Sequence, residues 1–169
     1  TIILNGVSKS FAMTGWRIGY SAGPEHIIKA MNKIQSQSTS NPCAPAQYAA
    51  LAALTGPQDF PGAMQKAFVP RRDFFVEDLR SIKGVSCVNP NGAFYVFPNF
   101  SAYYGKSFQG KIINDSVSLS DYFLDEAKVA SVPGIAFGAD DFVRFSFATS
   151  MEIIQEGMQR IKDALLQLN

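Results

Sequence analysis

The sequence predicts an α/β fold on three observations. Short apolar runs rich in β-branched and aromatic residues recur at residues 1–5, 85–88, 94–97, 127–132 and 142–147. Segments with apolar residues at helical spacing alternate with them, most plainly at 25–34 and 151–168. Of the 169 residues, 47% are hydrophobic, enough to bury a sizeable core in one domain or two small ones.

Taken in order, residues 1–5 (TIILN) read as a buried strand. Pro24 and Glu25 open a helix in which Ile27, Ile28, Met31 and Ile34 recur at helical spacing, and the polar run 35–41 closes it. A second, alanine-rich helix covers 46–54 and stops at Thr55-Gly56-Pro57, a strong breaker. From Gln58 a longer helix carries Met64, Phe68, Phe74, Phe75, Val76 and Leu79. Pro70 removes one of its backbone hydrogen bonds and is expected to bend it. A domain boundary is expected in this region, dividing the chain into residues 1–62 and 63–169. Beyond it lie the strands at 85–88, 94–97, 127–132 and 142–147, a helix at 119–126 and a polar, aperiodic stretch at 101–116 that reads as an exposed loop. Pro133-Gly134 and Phe137-Gly138 read as a turn ahead of the last strand. The final helix, 151–168, places Ile154, Met158, Ile161, Leu165 and Leu168 on one face.

Composition excludes several partners. Lys and Arg number 15 against 14 Asp and Glu, leaving a net charge of +1 with the signs interspersed, so no electrostatic footprint for nucleic acid or an anionic membrane is present. No apolar run approaches the roughly 20 residues of a membrane span. Cys43 and Cys87 have neither metal-ligand spacing nor the density of a disulfide scaffold; buried free thiols, no metal and a cytoplasmic location are expected.

The chemistry concentrates in residues 5–19, NGVSKSFAMTGWRIG, where Lys9 follows a small hydroxyl, Ser8, and Arg17 lies eight residues on. An aldehyde cofactor needs an amine with which to condense, and its phosphate needs a fixed planar cation, for which the guanidinium fork is well suited. A phosphate-cradling P-loop would need glycine before the lysine, and Ser8 stands there. The ordinary alternative for any lysine is a solvated surface turn.

Gly6, Ser8, Lys9, Ala12, Met13, Gly15, Arg17, Ile18 and Gly19 together resemble the lysine signature of class I aminotransferases, the fold-type I pyridoxal-phosphate enzymes. Two further blocks follow in that family's order. Residues 91–100, NGAFYVFPNF, resemble a small-domain strand beside the active site, and 143–150, VRFSFATS, resemble the strand whose arginine, here Arg144, grips the substrate α-carboxylate. The resemblance implies that residues 1–62 are a remnant of the large cofactor-binding domain and 63–169 the small carboxy-terminal domain. It implies a carboxy-terminal fragment, inactive alone, of a homodimer using pyridoxal 5'-phosphate.

Within that resemblance, Lys9 would tether the cofactor and shuttle the substrate proton, and Arg17 and Ser8 would hold its phosphate. Arg144 would take the α-carboxylate through two parallel charge-assisted bonds, its alternative being a salt-bridged arginine on an edge strand. Tyr95, Tyr20, Trp16 and Phe137 could line the pocket, but aromatic residues in strands are more often core. His26 and the pair Arg71 and Arg72 read as exposed helix residues. Residues 38–45 lack the arginine with which many relatives read a distal carboxylate, and the wording of 36–54 looks most like a bacterial aspartate aminotransferase subgroup. Aspartate as donor and 2-oxoglutarate as acceptor are therefore expected. The alternatives are another pyridoxal-phosphate enzyme, such as an aromatic or histidinol-phosphate aminotransferase or a β-lyase, and the aminotransferase-like effector domain of a winged-helix regulator.

Overall fold

In the computed structural model, which describes residues 1–169, strands β1 (Ile3–Gly6) and β2 (Gly19–Ala22) pair antiparallel with Gly6 opposite Gly19. Helices α1 (Glu25–Ser38), α2 (Ala44–Thr55) and α3 (Asp59–Arg80) follow. Two compact units result, Thr1–Gln65 and Lys66–Asn169, and the division falls inside α3. Pro70 lies within that helix and cannot donate to the Lys66 carbonyl one turn earlier.

The first unit has a small core in which Val7, Met13 and Ile18 meet Ala46 and Ala50 of α2. Its surface is unusually apolar. β1 was expected to be buried, yet Ile3 and Leu4 are 57% and 74% exposed, because its only ladder partner is β2. Helix α1 forms at its predicted position but buries no residue, and Ile34 is 70% exposed. Cys43, at the start of α2, is exposed rather than buried; Cys87, in the second unit, is buried as expected.

The second unit is built on a three-stranded antiparallel sheet in the order β3 (Tyr95–Val96), β7 (Val143–Ser146), β6 (Val132–Pro133). The carboxy-terminal helix α5 (Met151–Leu166) packs against it through Ile154, Met158, Ile161 and Leu165, with Ser150 capping its first turn. Phe100, Phe123 and Phe145 meet edge-on or tilted at the centre, with centroids 5.5–6.2 Å apart. Tyr122 anchors the helix end by donating to the Ala164 carbonyl at 2.7 Å.

Several expectations change here. Residues 85–88 alternate buried and exposed like a strand, but only Ser86 pairs, in a single bridge with Asn99. The Cys87 carbonyl is taken instead by Arg80 Nε at 2.8 Å, and Pro90 follows. The helix predicted at 119–126 begins earlier, as α4 (Ser116–Tyr122), because Asp115 and Ser118 form a reciprocal capping box. A π-turn at Phe123–Ala127 continues it until Lys128, at φ +55°, ends it. The strand expected at 127–132 therefore shrinks to β6. Residues 101–116 are not a featureless loop: β4 (Ser107–Phe108) and β5 (Lys111–Ile112) form a hairpin whose turn residues, Gln109 and Gly110, both have positive φ. Ile113 and Ser116 from this stretch are buried. Arg71 and Arg72 are half-buried rather than a solvated face. Arg71 lies over Phe68, and Arg72 binds Asp73 and the Pro90 carbonyl.

Burial, reinforced by Asp140, Asp141 and Asp115, pushes the Tyr104 hydroxyl up to about 12 from 10.0. The raised value favours the neutral phenol, so its stabilising contribution is complete below pH 10 and is lost between about pH 10 and about 12. Urea midpoints should fall with pH across this window, and Tyr104→Phe should flatten the fall. In α3, Gly62 has open space for a side chain, and Gly62→Ala should stabilise the helix by about 0.5–1 kcal/mol in urea unfolding.

Candidate functional site

Lys9, Ser8 and Arg17 share one loop, residues 7–18, and the glycine pair at its base explains its shape. A Cβ on Gly6 would lie 3.0 Å from the Ile18 carbonyl oxygen and 3.4 Å from Gly19 Cα; one on Gly19 would lie 3.3 Å from the Asn5 carbonyl oxygen. The two backbones thus approach closely where the loop begins and ends. Val7, Met13 and Ile18 turn inward onto the small residues of α2, which leaves Lys9 and Arg17 exposed and Ser8 half-buried. The Ala12 N–H donates to the Lys9 carbonyl at 3.1 Å, and Arg17 Nη1 donates to the Thr14 carbonyl at 2.9 Å. Ala12 and Arg17 are held at φ +52° and +56°, a left-handed conformation costing about 1 kcal/mol for a residue with a side chain. Such strain concentrates at functional loops. Gly15 meets nothing within 4 Å, so local packing gives no reason for glycine there.

Arg144 belongs to the second unit, on β7. That strand is central in its sheet, not an edge, and Arg144 makes none of the chain's ion pairs or side-chain hydrogen bonds. Aromatic rings surround it instead. The guanidinium carbon lies 4.3 Å from the Tyr95 ring centroid and 4.7 Å from that of Phe137. Tyr95 reaches it because Tyr95 pairs with Ser146, which shares a face of β7 with Arg144. Phe137 comes from a 3-10 turn, Gly134–Phe137, and meets Phe97 edge-on at 5.8 Å.

That turn is held rigidly. The Gly134 N–H donates to the Phe142 carbonyl at 2.8 Å, and the Gly134 carbonyl accepts from Ala139 at 3.0 Å. A Cβ at Gly134 would fall 2.1 Å from the Ala139 carbonyl oxygen and 2.3 Å from that of Phe142, so only glycine fits. From below, the buried Ser116 hydroxyl accepts from the Ile135 N–H at 3.2 Å and donates to Asp140 Oδ1 at 2.6 Å. Sequence reasoning left Tyr95 and Phe137 among undifferentiated aromatics. The alternation of 94–100, with Phe94, Val96, Pro98 and Phe100 inward, was the available signal for Tyr95; a 3-10 turn offers none for Phe137.

Residues 1–161 match the family described as Aminotransferase class I and II. The chain belongs to that family. Class I and II aminotransferases depend on pyridoxal 5'-phosphate, and the solved structures this chain resembles are fold-type I enzymes. An aspartate/prephenate aminotransferase of Cereibacter sphaeroides is 52% identical over 163 residues, covering 96% of this chain and 41% of the relative. An aspartate aminotransferase of Pinus pinaster is 46% identical, covering 99% of this chain and 35% of its own. The crystal structure of the aspartate aminotransferase from Rhizobium meliloti superimposes with a TM-score of 0.94 at 46% identity, over 100% of this chain and 42% of that one. The chain thus spans about two-fifths of the length of the aminotransferases it matches.

The residues present fit the cofactor. An amine, a hydroxyl and a guanidinium stand on one loop whose Val7, Met13 and Ile18 are turned away beneath, which suits an aldehyde and a phosphate dianion. No cluster of side chains suited to a metal ion is present. Gly134→Ala, which drives a methyl into two carbonyl oxygens, should cost about 3 kcal/mol in urea unfolding, at the upper end of overpacking. Ser116→Ala should cost about 1–3 kcal/mol by stripping the Ile135 N–H and Asp140 of a partner.

Proposed function

We propose that the chain is the carboxy-terminal portion of an aminotransferase that transfers an amino group from aspartate to a 2-oxo acid. Residues 1–62 then belong to the large cofactor-binding domain and 63–169 form the small domain. The observation that carries the reading is the single loop bearing Lys9, Ser8 and Arg17, its ends pinched together by Gly6 and Gly19. The names of the relatives from Cereibacter sphaeroides and Pinus pinaster support aspartate as donor. The former name also brings prephenate beside 2-oxoglutarate as a candidate acceptor.

Pyridoxal phosphate, when bound, supplies an aldehyde for the substrate amine and a ring that takes up the electron pair left when the Cα–H bond breaks. Lys9 Nζ would hold the cofactor's aldehyde between turnovers and, as a free amine once the substrate amine has replaced it, would take the proton from substrate Cα and deliver it two bonds away. Arg17 neutralises the phosphate dianion with a fixed fork, and the Ser8 hydroxyl donates to the same group. Anchoring the phosphate orients everything attached to it, which is where most of the rate gain of a positioned reactant comes from. Arg144 receives the substrate α-carboxylate in the plane of its guanidinium, a bidentate geometry that lysine cannot reproduce.

The working protein in this reading is a cytoplasmic homodimer. Helix α2 supports the assembly, since Tyr48, Leu51 and Leu54 are exposed on a helix that is apolar all round and need a cover. No helix is long and apolar enough to cross a membrane, and two free cysteines suit a reducing compartment.

Borohydride reduction of the full-length holoenzyme, digestion and peptide mass spectrometry should place the cofactor on Lys9; attachment at another lysine would sink the assignment. Lys9→Ala in the same protein should lower kcat with aspartate by at least about 10³-fold. The 169-residue chain alone should bind cofactor far below one per chain in equilibrium dialysis.

A further inference from the structure

The Arg144 guanidinium lies over two aromatic rings. Tyr95 and Phe137 approach the guanidinium at 4.3 and 4.7 Å, while its N–H groups donate to no carboxylate or carbonyl of the chain. A guanidinium held over a ring face is attracted by that face while its N–H donors remain in its own plane. Each ring is itself backed by a second one. Phe94 tilts against Tyr95 at 4.6 Å, and Phe97 meets Phe137 edge-on while stacking on Phe142 at 5.0 Å. The Gly134 turn and the Ser116 and Asp140 hydrogen bonds then fix the backbone from which Phe137 projects.

This arrangement is more than core packing. Arg144 is half-buried and Phe137 is 50% exposed within this chain, and neither belongs to the closed core of the second unit. A free arginine fork has several rotatable bonds to immobilise when it binds a carboxylate. One already held by stacking loses less on binding, and the ligand gains the difference.

Resting on the reading of Arg144 as the α-carboxylate group, we propose that Tyr95 and Phe137 are positioning residues that clamp the Arg144 guanidinium plane, pre-aligning its donor edge for the carboxylate of both the amino-acid and the oxo-acid substrate. Because the clamp acts on binding and not on proton transfer, its loss raises KM for either substrate and leaves kcat nearly intact.

The test is steady-state kinetics on the full-length holoenzyme with Phe137→Leu and Tyr95→Leu, beside the ring-preserving Phe137→Tyr and Tyr95→Phe and the direct variant Arg144→Lys. The leucine variants should raise KM for aspartate and for 2-oxoglutarate by about 3- to 30-fold with kcat changed less than about threefold. The ring-preserving variants should recover most of that loss, with the cofactor absorbance spectrum the same throughout. Unchanged KM in the leucine variants, with Arg144→Lys still impaired, would overturn the clamp and leave the Arg144 assignment standing. Equal impairment of leucine and ring-preserving variants, or a fall in kcat matching the rise in KM, would reduce the rings to a structural role and overturn it too. If Arg144→Lys itself leaves KM unchanged, the α-carboxylate assignment fails and the clamp with it.

Discussion

The second unit depends on the alternation of side chains along β7. Val143 and Phe145 point into the core, with Phe147 just beyond the strand, while Arg144 and Ser146 point to the other face. A strand of this kind cannot slip by one residue without burying an arginine and exposing two large apolar groups, so packing energy holds the register. The position of Arg144 is therefore fixed by its neighbours' burial rather than by any bond of its own. Phe145 meets Phe75, Phe100 and Phe123, which ties the strand to α3, to the segment after β3 and to the π-turn after α4.

The loop of the first unit is positioned by a different device. Its core is small, and the salt bridge between Lys29 and Glu25 is exposed on α1 and adds little. Close backbone approach at two glycines, three apolar side chains turned under and two residues held in the left-handed region define it instead. Its charged groups meet water, whereas Arg144 lies half-buried among rings. Electrostatic attraction between a cation and an anion is stronger where water is partly excluded, so an anion beside Arg144 would be held more firmly than one beside a fully solvated arginine.

How much was legible in the sequence follows from how local each feature is. Helices α1, α2 and α5 lie close to where periodicity, Pro24 and Gly56 put them, because spacing and chain breakers act within a few residues. The loop of Lys9 and Arg17 was legible as a motif, and the facing glycines give its physical basis. Asp115 and Ser118 carried a readable capping signal that apolar periodicity alone passed over.

The remainder was decided at long range. Strands of two residues, such as β3 and β6, carry no period of their own; their ladders exist because Tyr95 meets Ser146 and Val132 meets Arg144 across the chain. Residues 85–88 have a strand's alternation without its ladder, since Arg80 takes the Cys87 carbonyl. Phe137 reaches Arg144 only because Gly134 admits two carbonyl oxygens at a distance no side chain allows. By itself the sequence determined helices α1, α2 and α5 and the grouping of an amine, a hydroxyl and a guanidinium in one short segment, all properties of neighbouring residues. Tertiary structure alone decided which rings surround Arg144, because that depends on hydrogen bonds between residues far apart in the chain.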